Sequence, residues 1–480
     1  MVAPSSRTSI ASLPTEILIH IFALARDCHD QDVPPYSSPF SPTAPRLAPQ
    51  HRTNPVLALS HTCRTWYSLV SATAELWSSL HLDGFLDADR AEAKASFWAQ
   101  RAIRTSGGGG GNTIQALYLT QVQDWSDDDF AYLCEALELL LHIRLTSAHI
   151  SWMGGGAPAN EHRQLQSFFR FLLASAPTFA SLTLHTPSHL RILFSLPRLG
   201  HSFTALEELE IQSTKISSPA SDAYLVPAFL PRFGGETDWA PLTHLRRLVL
   251  VGPIWRLRYR DGTVASPTLE AADVPTLRYA RLSSTSPPVH WDLLSAPSIQ
   301  HLHLDDWFDH PTLPDPDPTA GFTSLTSLSL VRCGALATRL LDLAATLPGL
   351  TSWPNLELLR LTGARLSQAH LNAFSGIAAP RLAVLDLSDS SAASSSSSAS
   401  ASGSGDNSPL VLPPLPALRT LTAFRVGCLT PRQLVRDVVF EGKMGRLEEV
   451  RSDLAFGEDG ERALLSVGVR VVSEEDVEGE

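Results

Sequence analysis

A short pattern, a hydrophobic residue followed by x-x-Leu-x-Leu, returns twelve times between Ile114 and Ser452, and nothing else limits the fold as much. The copies begin with Ile114-Leu117-Leu119, Leu140-Ile143-Leu145, Phe179-Leu182-Leu184 and Leu206-Leu209-Ile211. Leu245-Leu248-Leu250, Leu277-Ala280-Leu282, Ile299-Leu302-Leu304 and Leu325-Leu328-Leu330 follow. The series ends with Leu356-Leu359-Leu361, Leu382-Leu385-Leu387, Leu418-Leu421-Ala423 and a degraded Leu447-Val450-Ser452. A proline often stands two places before the first apolar residue, as Pro380 does before Leu382. Six of the eleven spacings between copies lie between 22 and 29 residues, and the others reach 39. One-strand solenoid repeats run about 20–29 residues, longer spacings marking insertions. In a strand, alternate side chains face opposite ways, so the second and third apolar positions point to the same side. A single repeat cannot bury its leucines; stacked neighbours bury one another's and build a continuous core. The expected product is a parallel sheet with one strand per repeat.

Helical patterns lie between several copies, at 126–141 (opening with Ser126 and three aspartates), 160–175, 335–347, 367–376 and 431–440. They are expected on the outer side of the stack. Between 245 and 325 the connectors are proline-rich, and no such helix is expected there. Gly107–Gly111 and the Ser-, Ala- and Gly-rich loop 388–409 have too little apolar surface to offset the entropy of ordering. Repeats resume at Leu418, so the second stretch is expected to hang from the stack as a disordered loop. Residues 1–9 are expected to be a disordered N-terminus, and 473–480 form a tail with five acidic residues. Cys333 falls three residues after Leu330, where it can satisfy backbone groups at the turn; the equivalent Thr214, Ala364 and Ser390 depart from it.

Ahead of the repeats stand three pieces: Leu13-Pro14-Thr15-Glu16-Ile17, then Cys63-Arg64-Thr65-Trp66, then Leu76-Trp77. Pro14 suits a first helical turn, where its missing N–H has no partner to lose, and Glu16 suits the positive end of the helix dipole. Ile17, Ile21 and Leu24 recur at helical spacing, and Leu18 and Phe22 widen the apolar stripe. Val56, Leu59, Cys63, Trp66 and Val70 step by three and four, which places them on one helical face. Between these helices, residues 29–54 hold Pro34, Pro35, Pro39, Pro42, Pro45 and Pro49, with Pro55 just beyond, and read as an extended insert. Such an insert costs little, because closure entropy grows only logarithmically with loop length.

In their order these pieces resemble an F-box, the small helical module that docks a protein onto a Skp-type adaptor of cullin ubiquitin ligases. The resemblance implies that Leu13, Pro14, Ile17, Ile21, Cys63, Trp66, Leu76 and Trp77 form the module and part of its adaptor interface, some of them serving its own core. Followed by irregular leucine-rich repeats, the chain is similar to the F-box/leucine-rich-repeat proteins numerous in fungi. The helix 87–104 with Phe97 and Trp98 is similar to the link those proteins use. The implied fold is α+β: a small all-helical F-box domain over 10–82, then over 83–472 an α/β leucine-rich-repeat solenoid (horseshoe) with a parallel β-sheet on its concave side.

Composition narrows the alternatives. With 44% hydrophobic residues and no run of eighteen apolar ones, the chain reads as globular and not membrane-spanning. A net charge of −12 argues against a nucleic-acid surface. Five scattered cysteines (Cys28, Cys63, Cys134, Cys333 and Cys428) read as reduced thiols, which with the lack of a signal peptide points to the cytoplasm or nucleus. Only Lys94, Lys215 and Lys443 are lysines, against 34 arginines. A GC-rich genome explains that imbalance; a ligase subunit that offers few sites for its own ubiquitination is the sharper account. No phosphate loop, nucleophile elbow, His-Glu-x-x-His or Cys-x-x-Cys occurs, so no cofactor and no catalysis are expected. His301, His303 and Asp305 alternate along one repeat, with Asp306, Asp309 and His310 nearby; His and carboxylate ligands in that pattern form the one candidate for a metal or enzyme site.

The residue between the last two apolar positions of each repeat is expected to line the concave face. The candidate partner-binding residues are Tyr118, Arg144, Glu210, Arg281, His301, His303, Arg360 and Asp386, a mixed-sign row suited to a protein or peptide and not to a uniform polyanion. The expected function is that of the substrate-recognition subunit of a Skp-cullin-F-box ligase, with adaptor and cullin at one end and a target protein on the repeats. The rival is a non-ligase interaction scaffold whose F-box-like helices cap the solenoid. Exposure of the face carrying Pro14, Ile17 and Ile21 separates the two.

Overall fold

The computed structural model describes residues 13–31, 55–83, 88–104, 116–120, 145–151, 172, 176–186, 203–213, 224–225, 242–251, 257–258, 264–265, 274–283, 298–305, 323–333, 337, 341, 353–373, 379–392, 411–426 and 429–473. The expected N-terminal segment 1–9, most of the insert 29–54, the Gly107–Gly111 run, the patterns at 126–141 and most of 160–175, and the tail after 473 lie outside them. The chain falls into two compact units: 1–193 with 202–206 and 227–231, and the remainder to Glu480.

In the first unit, helix α1 (Thr15–Gln31) starts where the Leu18 N–H donates to the Pro14 carbonyl at 3.1 Å. Helices α2 (Pro55–Ser60) and α3 (Arg64–Ala72) follow, then a 3₁₀ turn at Ala74–Trp77 and strand β1 (Ser79–Asp83). Helix α4 (Ala88–Arg104) leads on to β2 (Ala116–Thr120), β3 (Ser147–Ser151) and β4 (Ser181–Thr186). The four strands are parallel, with Leu80, Leu117, Ala148 and Leu182 in one row and Leu82, Leu119, Ile150 and Leu184 in the next. All eight side chains are buried, and each buried leucine contributes about 1.5–3 kcal/mol relative to exposure.

The second unit repeats the same strand ten times. Its long strands are β5 (Glu208–Ser213), β7 (Arg247–Val251), β10 (Tyr279–Ser283), β11 (His301–Asp305) and β12 (Ser327–Val331), then β13 (Leu358–Thr362), β15 (Val384–Asp386), β17 (Thr420–Ala423), β18 (Glu449–Ser452) and β19 (Arg470–Val472). Neighbours in that order pair in parallel, and Leu209, Leu248, Ala280, Leu302, Leu328, Leu359, Leu385, Leu421 and Val450 form one continuous row. Short strands stand apart from this sheet: β6 (Tyr224–Leu225), β8 (Leu257–Arg258) and β9 (Val264–Ala265) form one set, and β14 (Arg365–Leu366) pairs with β16 (Ser391–Ala392). Helices α5 (Gln368–Ala373), α6 (Pro431–Val435) with a π turn at Arg436–Phe440, and α7 (Gly457–Ser466) connect strands. Among the described residues of 245–325 there is no helix, and none of the described helices is long and apolar enough to cross a membrane.

Where it is described, the turn before a Leu-rich strand has one form. The N–H of the first apolar residue donates to a carbonyl three residues earlier, as in Leu245 to Leu242, Leu356 to Trp353, Leu382 to Ala379 and Leu418 to Leu415. The proline two places before the first apolar residue occupies the second turn position, where its fixed φ suits it. The residue opening the turn is itself buried (Leu242, Val274, Trp353, Ala379, Leu415, Met444), so these repeats carry an apolar position beyond the three in the sequence pattern.

The structure departs from the sequence reading at several points. Val56 to Val70 is not one helical face: the chain breaks at His61–Thr62, where Ser60 Oγ and Thr62 Oγ1 donate back to the Leu57 and Ala58 carbonyls, and Cys63 sits exposed and extended at the start of α3. The second repeat is Leu145-Ala148-Ile150 and not Leu140-Ile143-Leu145, because Leu145 is fully buried ahead of β3. Arg144 lies outside the described residues, and His149 holds the position assigned to it. Strands β1 and β19 extend the series at both ends. Residues 388–392, assigned to the hanging loop, are folded into β16 and the turn before it. Ser390 is no gap in the Cys333 pattern: Cys333 Sγ donates to the Leu304 carbonyl at 3.5 Å, and Ser390 Oγ to the Leu361 carbonyl at 2.9 Å.

Candidate functional site

The helical module sorts its apolar residues into two adjacent stripes on α1. Leu18 and Phe22 point inward, and the Phe22 ring meets Trp66 edge-on with centroids 4.8 Å apart. Ile17 and Leu24 point outward and are 47% and 50% exposed, with Leu13 and Pro14 exposed ahead of them and Ile21 partly covered. Leu13, Ile17 and Leu24 thus form an exposed apolar stripe beside the buried one.

The remaining module residues divide in the same way. Leu76 and Trp77 are completely enclosed, so they hold the module together and present nothing to a partner. Trp77 Nε1 donates to the Val70 carbonyl at 2.8 Å, and its ring meets Trp98 of α4 edge-on at 4.8 Å. Trp98 Nε1 in turn donates to the Ser79 carbonyl of β1 at 2.9 Å. Trp77 therefore ends the helical module and opens the first repeat, Trp77-x-x-Leu80-x-Leu82. Cys63 is exposed and Trp66 half-buried. Sequence reasoning named Phe97 only as part of the linking helix and missed Tyr67; both are exposed, with the Arg101 guanidinium over the Tyr67 and Phe97 rings at 6.0 and 5.0 Å. Their aromatic character and helical position were the available signal. The hydrogen bond from Arg101 holds the Tyr67 hydroxyl pKa below its ordinary value.

The second candidate surface is the sheet face opposite the leucines. On the first unit Tyr118 stacks on His81 with centroids 4.4 Å apart and approaches His149. On the second unit Glu210 accepts from Arg247 at 2.9 Å. His301 is exposed, His303 half-buried, and Asp305 accepts from Arg332 at 2.9 Å. Burial, then the nearby Arg281 and Arg360 charges, push the His303 pKa down to about 4 against the opposing pull of Asp305. A neutral His303 between two guanidiniums and an Asp305 engaged by arginine do not make a ligand set; among the described residues no three His, Cys, Asp or Glu side chains converge as metal ligands. Asp306, Asp309 and His310 lie outside the described residues.

Farther along the same face, Arg360 and Asp386 form an ion pair at 2.7 Å, with Asp386 also accepting from the Ser388 N–H and hydroxyl. Beside them opens a depression of about 220 Å³ lined by Leu358, Arg360, Val384, Asp386, Thr420, Thr422 and Arg451.

Against known families, residues 10–83 match the F-box-like family. No curated protein matches the chain.

Proposed function

We propose that this chain is the target-recognition subunit of a Skp-cullin-F-box ubiquitin ligase, an F-box/leucine-rich-repeat protein of the fungal type. Residues 10–83 dock the Skp-type adaptor and through it a cullin, and the repeats bind a protein marked for ubiquitin-dependent degradation. The chain itself is non-catalytic and works in the cytoplasm or nucleus. The single observation carrying this reading is the outward stripe of Leu13, Ile17 and Leu24 within the segment that matches the F-box-like family. A cap needs only an apolar face toward the repeats, and α4 with Trp77 and Trp98 already supplies that contact with β1. A second apolar stripe facing away is what adaptor docking requires.

The test is a pull-down of purified adaptor by full-length chain, comparing wild type with Ile17→Asp/Leu24→Asp. Interface anchors of this size cost 2 kcal/mol or more when lost, roughly a thirtyfold weakening. Binding by wild type and its loss in the double variant, at unchanged thermal unfolding, is the expected result. Failure of the wild type to bind under conditions where another F-box binds sinks the proposal.

A further inference from the structure

The depression on strands β13, β15, β17 and β18 is built from two rows in register: Leu358, Val384, Thr420 and Glu449, and Arg360, Asp386, Thr422 and Arg451. Its charges are held in place by the neighbours. Arg360 donates through Nε to Asp386 at 2.7 Å, which leaves that pair neutral. Arg451 donates through Nε to Glu449 at 2.5 Å, and the same Glu449 is shared with Arg470 at 2.9 Å. Two guanidiniums on one carboxylate leave a single positive charge at the Arg451 side. Each lining arginine is engaged through Nε, so these pairs leave the two-donor Nη end, which also matches a planar oxyanion, for a ligand. Thr420 and Thr422 place hydroxyls beside it, while Leu358 and Val384 form an apolar wall at the other end.

We propose that this depression receives an extended acidic peptide segment, with a Glu or Asp carboxylate on Arg451 and an apolar side chain against Leu358 and Val384. The single excess charge matches one carboxylate and not a phosphate dianion. Val384 and Leu358 lie two and three strands from Arg451, about 10–14 Å at the spacing of a sheet, which an extended chain crosses in three or four residues. The recognised element is therefore an acidic and an apolar residue three or four positions apart, running across the strands. The inference rests on the reading that the sheet face receives a target, and it names the chemistry of that target.

The experiment uses full-length chain and amidated nonapeptide pools in which one position is Glu, Gln or phosphoserine and a Leu is fixed three or four residues away. Retention of the Glu pools at least tenfold above the Gln pools is expected, as loss of a charge-assisted contact implies. That preference should vanish in Arg451→Gln, in which Glu449 keeps Arg470, and persist in Arg246→Gln at a separate site, with both variants matching wild type in thermal unfolding. Equal retention of Glu and Gln pools, stronger retention of phosphoserine, or a Glu preference that survives Arg451→Gln overturns the proposal. A Glu preference that emerges only after the acidic residues of 474–480 are neutralised also overturns it, because the occupant is then the chain's own end. The adaptor is absent from this assay, so a chain that fails here but binds adaptor loses only this inference.

Discussion

At the scale of single residues, burial decides which of the chain's polar and aromatic side chains have structural work. His303 is the clearest titrating case. The unfolded chain takes up a proton on this imidazole near pH 6.5, whereas the folded protein holds it neutral to about pH 4. Between those values the unfolded state binds more protons, so the contribution of His303 to stability is full above pH 6.5 and is lost as pH falls toward 4. Urea midpoints should decline over that window, and His303→Asn should decline less; equal slopes would remove His303 as the cause. Trp77 is the opposite kind of residue, uncharged and fully enclosed. Trp77→Ala empties the junction of α3, α4 and β1 and leaves the Val70 carbonyl without its donor, and is expected to cost about 3–5 kcal/mol in denaturant unfolding. Ile17→Asp, on the outward stripe, should leave stability within about 0.5 kcal/mol while, on the proposed role, weakening adaptor binding in the pull-down. Sequence spacing placed Ile17 and Trp77 in one set, since both are apolar residues of the same motif; only their surroundings separate the exposed residue from the core one.

At the scale of elements, the ends of β12, β13, β15 and β17 are each set by one left-handed residue. Arg332, Gly363, Asp389 and Arg425 stand at the same register position on β12, β13, β15 and β17, with φ of 54°, 73°, 59° and 52°. Three of the four are not glycine, and their neighbours hold them there: Arg332 pairs with Asp305, and Arg425 forks onto Asp389 at 2.6 and 3.2 Å while its N–H donates to Asp453. That fork also keeps the Asp389 carboxyl below its usual pKa. At Gly363 a Cβ would meet only the Arg332 Cα at an ordinary 3.7 Å, so Gly363→Ala should cost the backbone strain alone, about 1–2 kcal/mol, read as a lower thermal midpoint. This ladder was hard to read in the sequence because Arg332 and Arg425 give no turn signal, unlike Gly363 and Asp389. The helices were more legible. The resemblance at 87–104 and the helical pattern at 431–440 anticipated α4 and α6, while the break between α2 and α3 went unseen because Ser60 and Thr62 act through local hydrogen bonds that periodicity does not register.

At the scale of the whole molecule, the three lysines carry a consequence that follows from the proposed ligase role. Lys443 is held by Asp437 and Glu441 at 2.8 and 2.7 Å, and these hydrogen bonds raise its pKa against the opposing effect of burial. A protonated, engaged amine is a poor nucleophile, so in a reconstituted ligase self-ubiquitination should concentrate on Lys94 and Lys215. Lys94→Arg/Lys215→Arg should then remove most lysine-linked modification; conjugates mapping chiefly to Lys443 would contradict this. The sequence by itself determined the repeat and, for all but the second copy, its register, because period-two alternation leaves one way for each leucine pair to face a neighbour's. It also determined the F-box-like identity of residues 10–83, carried by local spacing of Pro, Cys and Trp. It misplaced the second repeat and overlooked β1 and β19, where Ala148, Trp77 and Val471 stand in for leucine. Only the tertiary structure decided which apolar residues face out of α1, that Trp77 belongs to both module and sheet, and that Arg360, Asp386 and Arg451 share one depression. Those outcomes depend on contacts between residues tens of positions apart, and a linear pattern carries periodicity but not proximity.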